Sequence, residues 1–103
     1  MNEIAIIGLG EIGTSFGLAL KYQKADLHRV GYDSHKYAQD NALNADAIDR
    51  IGRGVIDAVK NADIIILAVP ADQVEDVLKL IGQDLKKEAA VLDTSPIKSA
   101  AIQ

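Results

Sequence analysis

Five short apolar runs punctuate the chain, with helical segments between them. Ile4-Ala5-Ile6-Ile7 stops at a cluster of glycines and reads as a buried strand. From Ile12 to about Tyr22, the apolar positions Ile12, Phe16, Ala19 and Leu20 recur at the period of a helix. Leu27 to Tyr32 is a second strand ending at Asp33, and Ser34 is the expected N-cap of a helix from about His35 to Leu43. A short third strand or turn falls near Ala47 to Gly52, and a brief helix covers Val55 to Lys60. Asp63 to Val69 is nearly all apolar and closes at Pro70. Asp72 to about Leu85 places Val74, Val77, Leu78 and Ile81 on one helical face. Ala89 to Leu92 is the last strand, after which Thr94-Ser95-Pro96 opens a further helix. Strand and helix in alternation predict an α/β fold, with a doubly wound parallel sheet and helices on both faces. No repeat or linker interrupts the pattern, so residues 1–103 are expected to form one domain.

Composition sharpens this picture. Hydrophobic residues make up 49% of the chain but aromatic ones only 4%, so the core must be aliphatic, as suits strands buried on both faces. Eleven basic against fifteen acidic side chains give a net charge of −4, without any basic run. Nucleic acid, which needs clustered Lys and Arg, is therefore not an expected partner. The absence of cysteine excludes disulfides, zinc thiolate sites and thiol catalysis, and no metal site is expected. The longest apolar run, Ile64 to Ala71, is too short to span a bilayer, and Met1-Asn2-Glu3 is not a signal-peptide start. A cytoplasmic protein without membrane contact is the expectation.

The candidate chemistry begins at Gly8-Leu9-Gly10-Glu11-Ile12-Gly13. This G-x-G-x-x-G follows an apolar strand directly and opens a helix, and Asp33 ends the next strand about twenty residues on. That context is the fingerprint of a Rossmann-type dinucleotide-binding domain, for which the strand order 3-2-1-4-5 is expected. Gly8 permits the tight turn, Gly10 lets the backbone approach a pyrophosphate, and Gly13 lets the helix pack close to the sheet, a role Gly17 extends. The pyrophosphate would rest on the free N–H groups of the helix N-terminus. Asp33 would accept hydrogen bonds from the adenosine ribose, with Ser34 beside it. A 2′-phosphate there would face a carboxylate, so NAD is favoured over NADP. His28 is expected at the surface, and neither it nor His35 is placed to be a catalytic base.

Further along, the residues resemble a family. Ile6 to Ser15, Val30-Gly31-Tyr32-Asp33, Ala47-Ile48-Asp49, Ala62 to Pro70 and Asp93 to Lys98 are similar, in order, to the N-terminal NAD(P)-binding domain of prephenate and arogenate dehydrogenases. The resemblance implies an NAD(P)-dependent oxidoreductase that oxidises a cyclohexadienol on the tyrosine pathway and decarboxylates it. It also implies that Ala68, Val69, Pro70 and Thr94 lie on the nicotinamide side of the cofactor, with Ser95 and Lys98 facing substrate. The family carries a serine where this chain has Pro96; Ser95 with Pro96 also makes a good helix start. The family's catalytic histidine and its helical dimerisation domain lie downstream of these residues. The chain is accordingly expected to be the cofactor part of a homodimeric enzyme, and inactive alone. The cofactor domain of a β-hydroxyacid dehydrogenase or a pyrroline-carboxylate reductase, or a stand-alone NAD(H)-sensing module, stands as the alternative.

Overall fold

The computed structural model describes residues 2–23 and 26–94. The elements run β1 (Asn2–Ile7), α1 (Glu11–Lys21), β2 (Leu27–Tyr32), α2 (Lys36–Asn44), β3 (Arg50–Ile51), α3 (Val55–Val59), β4 (Ile64–Leu67), α4 (Ala71–Ile81) and β5 (Ala90–Asp93). All four strand pairings are parallel, and the order is β3-β2-β1-β4-β5, as expected from the sequence. The chain thus starts at the sheet's centre, winds outward to one edge, and returns past β1 to build the other half.

Alternation along β1 explains why its run is apolar throughout. Ala5 and Ile7 join Val30, Ile65 and Leu67 under α3 and α4, whereas Ile4 and Ile6 join Ile66 on the opposite face. Both faces are packed with aliphatic side chains, and each burial of a residue such as Ile6 or Leu67 contributes about 1.5–3 kcal/mol. β5 is the exception, since all four of its residues are exposed.

Several boundaries differ from the sequence reading. β4 is Ile64–Leu67, so Asp63, Ala68 and Val69 fall outside the strand. Asp63 still bonds both neighbouring strands through its backbone, and its carboxylate accepts the Glu3 N–H at 2.9 Å and the Lys86 ammonium. α4 ends at Ile81 rather than near Leu85, and Leu78, expected on its buried face, is 40% exposed. Ser34 is not an N-cap. Asp33 instead accepts the His35 N–H two residues on, an Asx turn that leaves His35 as N-cap of α2. The expected apolar face of α1 is corrected in part. Phe16 and Leu20 pack against the core as expected, but Ile12 is 49% exposed and Ala19 is exposed, and the fully buried residues of the helix are Gly13 and Gly17. A Cβ on Gly17 would lie 2.0 Å from the Ala47 carbonyl oxygen, so this glycine packs α1 against the turn before β3, not against the sheet. His28 is half-buried, with Nδ1 3.2 Å from Glu3 Oε1 on the neighbouring strand. The helix expected after Thr94 lies outside the described residues.

One charged side chain is built into this frame. Arg29 of β2 is 5% exposed, and its guanidinium donates to both carboxylate oxygens of Asp49, to Asp46 Oδ1, and to the backbone carbonyls of Gly17 and Asp46. The Arg29 N–H donates to the Asp49 carboxylate and the Asp49 N–H donates to the Arg29 carbonyl, which closes the knot. The turn it holds contains Asp46 at φ 65°, a left-handed conformation that a non-glycine residue adopts at a cost.

Candidate functional site

The carboxyl ends of β1, β2 and β4 open onto a cavity of about 640 Å³, at the point where the winding reverses. Ten of the twelve residues expected at a cofactor line it: Gly8, Gly10, Glu11 and Ile12 from the turn, Asp33 and Ser34 after β2, and Ala68, Val69, Pro70 and Thr94 across the gap. Leu9 is buried at 3% in the core beneath α1 and lines a neighbouring cavity. Gly13 lies behind the wall, where it serves packing. Ser95 and Lys98 lie outside the described residues.

The turn is shaped by contacts that only glycine allows. Gly8 has φ +99°, and a Cβ there would meet the Ala68 carbonyl at 2.5 Å. A Cβ on Gly13 would sit 1.8 Å from the Gly8 carbonyl oxygen. Gly10 differs, because a Cβ there would meet nothing within 4 Å. Its bareness serves no packing contact and keeps open the space before α1. The N–H groups of the first helical turn have no intrahelical acceptor, and the first helix bond runs only from Thr14 N–H to the Gly10 carbonyl. A strand-to-helix turn with exposed donors and an open approach fits a pyrophosphate.

Asp33 is the bracket that holds the turn in place. Its Oδ2 accepts the Leu9 N–H at 2.7 Å, and its Oδ1 accepts the His35 N–H at 2.8 Å, with His35 Nδ1 at 3.2 Å from the same oxygen. The side chain is 14% exposed. One carboxylate thereby joins the β1–α1 turn to the β2–α2 turn, and still presents unused lone-pair positions to the cavity. On the far side, Thr94 Oγ1 donates to the Leu67 carbonyl at 2.8 Å, which fixes the hydroxyl at the end of β5. Farther along the β3 edge, Asp57 accepts the Arg53 N–H and ion-pairs with Arg50. Those bonds hold its carboxyl below the usual carboxylate range and close the start of α3.

The sequence reading missed the apolar end of the cavity, lined by Tyr32, Val55, Gln73, Val77 and Leu80. Gln73, Val77 and Leu80 recur at i, i+4, i+7 on α4, and that spacing was the signal available. A slot of aliphatic side chains with few polar groups suits a flat heterocycle such as a nucleobase.

Fold and site together define a doubly wound nucleotide-binding domain with its ligand groove at the switch point. The sequence model of the family described as prephenate dehydrogenase, nucleotide-binding domain, matches residues 16–103. The chain belongs to that family. It is 34% identical over 99% of its length to a cyclohexadienyl dehydrogenase of Zymomonas mobilis, and 33% identical over 100% of its length to a prephenate dehydrogenase of Lactococcus lactis. It covers 35% and 29% of those proteins, so the chain spans about a third of the curated relatives' length. Among solved structures, prephenate dehydrogenase from Aquifex aeolicus in complex with hydroxyphenyl propionate and NAD+ superposes with a TM-score of 0.83 at 23% identity. That match covers 92% of this chain and 34% of the other. Synechocystis arogenate dehydrogenase gives 0.83 at 24% identity, covering 95% of this chain and 34% of the other. Among the described residues, no helix is long and apolar enough to cross a membrane.

Proposed function

We propose that this chain is the NAD-binding part of a dehydrogenase that oxidises prephenate, arogenate or a related cyclohexadienol. The observation that carries this is the family match, and a groove lined by the glycine turn and Asp33 supports it. In this reading the first-turn N–H groups of α1 hold the pyrophosphate, and Asp33 accepts the adenosine ribose hydroxyls. Ala68, Val69, Pro70 and Thr94 form one wall of the nicotinamide end. Ser95 and Lys98 continue that wall toward the substrate, where an ammonium suits a carboxylate. The bound nicotinamide supplies the hydride acceptor. The other wall, and the contacts that make a homodimer, come from a helical domain beyond these residues, and the protein works in the cytoplasm.

Among the described residues, neither cavity has a lysine or arginine in its lining, while both have Asp33 and Glu11. NAD is therefore expected to bind about five- to tenfold or more tightly than NADP, the repulsion of one phosphate charge by one carboxylate at short range. Calorimetry with both cofactors checks this, and equal affinities would show that Asp33 does not read the ribose. Asp33→Asn should narrow the ratio. It should also cost about 1 kcal/mol of stability, because the amide nitrogen cannot accept from either Leu9 or His35.

The chain alone should not turn over prephenate or arogenate with NAD. Oxidising a hydroxyl requires a base positioned at the substrate, worth about 10²–10⁴ in rate. Among the described residues, the titratable side chains in the cavity wall are Glu11 at the turn, Tyr32 at the apolar end and the hydrogen-bonded pair Asp33–His35. NADH formation at ordinary enzyme rates, about 1–10³ s⁻¹, would show that the site is complete within the chain.

A further inference from the structure

Glu11 is the first residue of α1, preceded by Gly10, whose side chain offers no cap. Its side chain is exposed and lines both the main cavity and the smaller one beside it. Among the described residues it makes no hydrogen bond or ion pair, and no lysine or arginine lines either cavity to neutralise it. A carboxylate in the first turn of a helix is stabilised by the same free N–H groups and dipole field that attract phosphate. In the empty groove Glu11 therefore enjoys that field alone. A dinucleotide must bring its two phosphate charges to the same place, beside a negative side chain and, among the described residues, with no lysine or arginine in the lining to offset it.

We propose that Glu11 is a specificity-determining residue of the nucleotide site, a built-in competing anion that lowers the groove's affinity for diphosphate-containing ligands. The inference rests on the dinucleotide reading of this groove. Repulsion between like charges acts on the bound state and not on the empty one, so its cost falls on binding. It also separates two parts of the ligand. Adenosine carries no charge, so the penalty falls on the phosphates.

The test is a calorimetric titration of the full chain and its Glu11→Gln and Glu11→Lys variants with NAD, ADP-ribose and adenosine. At low ionic strength Glu11→Gln should bind NAD and ADP-ribose about three- to tenfold more tightly, the effect of removing one charge near two others at the surface. Glu11→Lys should bind them more tightly still. Adenosine should bind all three proteins equally, and the gain should shrink as salt is raised. Unchanged or weaker NAD and ADP-ribose binding by Glu11→Gln would overturn the proposal, the weaker result meaning that the carboxylate receives a ligand hydroxyl. A gain that extends to adenosine would overturn it too, because the effect would then come from the fold. Failure of the wild type and both variants to bind any of the three would instead remove the dinucleotide reading beneath it.

Discussion

Gly13→Ala is expected to lower stability by about 3 kcal/mol and dinucleotide affinity by about 100-fold, the loss of two charge-assisted hydrogen bonds. The added methyl would lie 1.8 Å from the Gly8 carbonyl oxygen and 3.0 Å from its carbon. Both are backbone atoms, and Gly8 is itself held by its N–H bond to the Tyr32 carbonyl at 2.8 Å. Neither partner can turn aside as a side chain would. The helix must lift from the sheet, which carries its first-turn N–H groups away from the groove. Gly10→Ala provides the contrast. That methyl meets nothing within 4 Å, and Gly10 has φ −76°, a value any residue adopts. Gly10→Ala should keep the wild-type melting curve yet lose affinity, because the methyl occupies the space through which the ligand nears the turn. Urea unfolding and NADH titration on the two variants check the pair. Equal stability of Gly13→Ala and wild type would show that α1 does not depend on this close approach.

Arg29→Met should cost about 3 kcal/mol. Breaking a buried ion pair typically costs about 3–5 kcal/mol, and the lower end applies because Asp49 and Asp46 are partly exposed and can rehydrate. What cannot be repaired is the loss of a donor to the Gly17 and Asp46 carbonyls. The pH dependence carries the same signature. Hydrogen bonding to Arg29 holds the Asp49 carboxyl below its ordinary value, and bonding chiefly to Lys21 does so for Asp46. A depressed folded value means that the stabilisation is present above the unfolded carboxylate pKa, about 4, and is lost as pH falls through the folded value. Wild type should therefore lose stability on acidification below about pH 4, and Arg29→Met should lose less over the same range. Denaturation midpoints with an unchanged denaturant slope measure the effect. A cost below about 1 kcal/mol would mean that the turn before β3 stands without its arginine.

β1 and β4 were legible because residues 4–7 and 65–67 are buried and apolar throughout, while β2 was legible from Leu27, Val30 and Tyr32 despite His28 and Arg29 between them. The site was legible for a related reason. A turn that needs three bare backbones leaves three glycines in the sequence, and Asp33 marks where the second strand ends. What was misread has more than one cause. Hydrophobic periodicity counts side chains and found Phe16 and Leu20, but α1 also packs by lacking them at Gly13 and Gly17, and Ile12 faces the cavity. Ser34 looked like a cap because caps are local, but Asp33 took the His35 N–H first. The Arg29 knot gave no local sign at all. Its partners Asp46 and Asp49 stand 17 and 20 residues away in the chain, and only the folded turn brings them to the guanidinium. β3, two residues long, lies within the stretch Ala47 to Gly52 where a short strand or turn was expected, but carries no pattern that sets its bounds.

The position of β1 at the centre of the sheet has a consequence for the time course of synthesis. One of its edges pairs with β2, which follows soon after, but the other waits for β4. The bond from the Glu3 N–H to Asp63 spans 60 residues. At about 5–20 residues per second, β1 spends about 3–12 s on a translating ribosome with one edge unpaired. During that interval Ile4 and Ile6 can be sheltered by α1 and α2, but Ala5 and Ile7 await α3 and α4. The nascent chain thus passes through a half-sheet with one covered face and one bare face, and the strand at the centre of the sheet has no second neighbour until β4 is made.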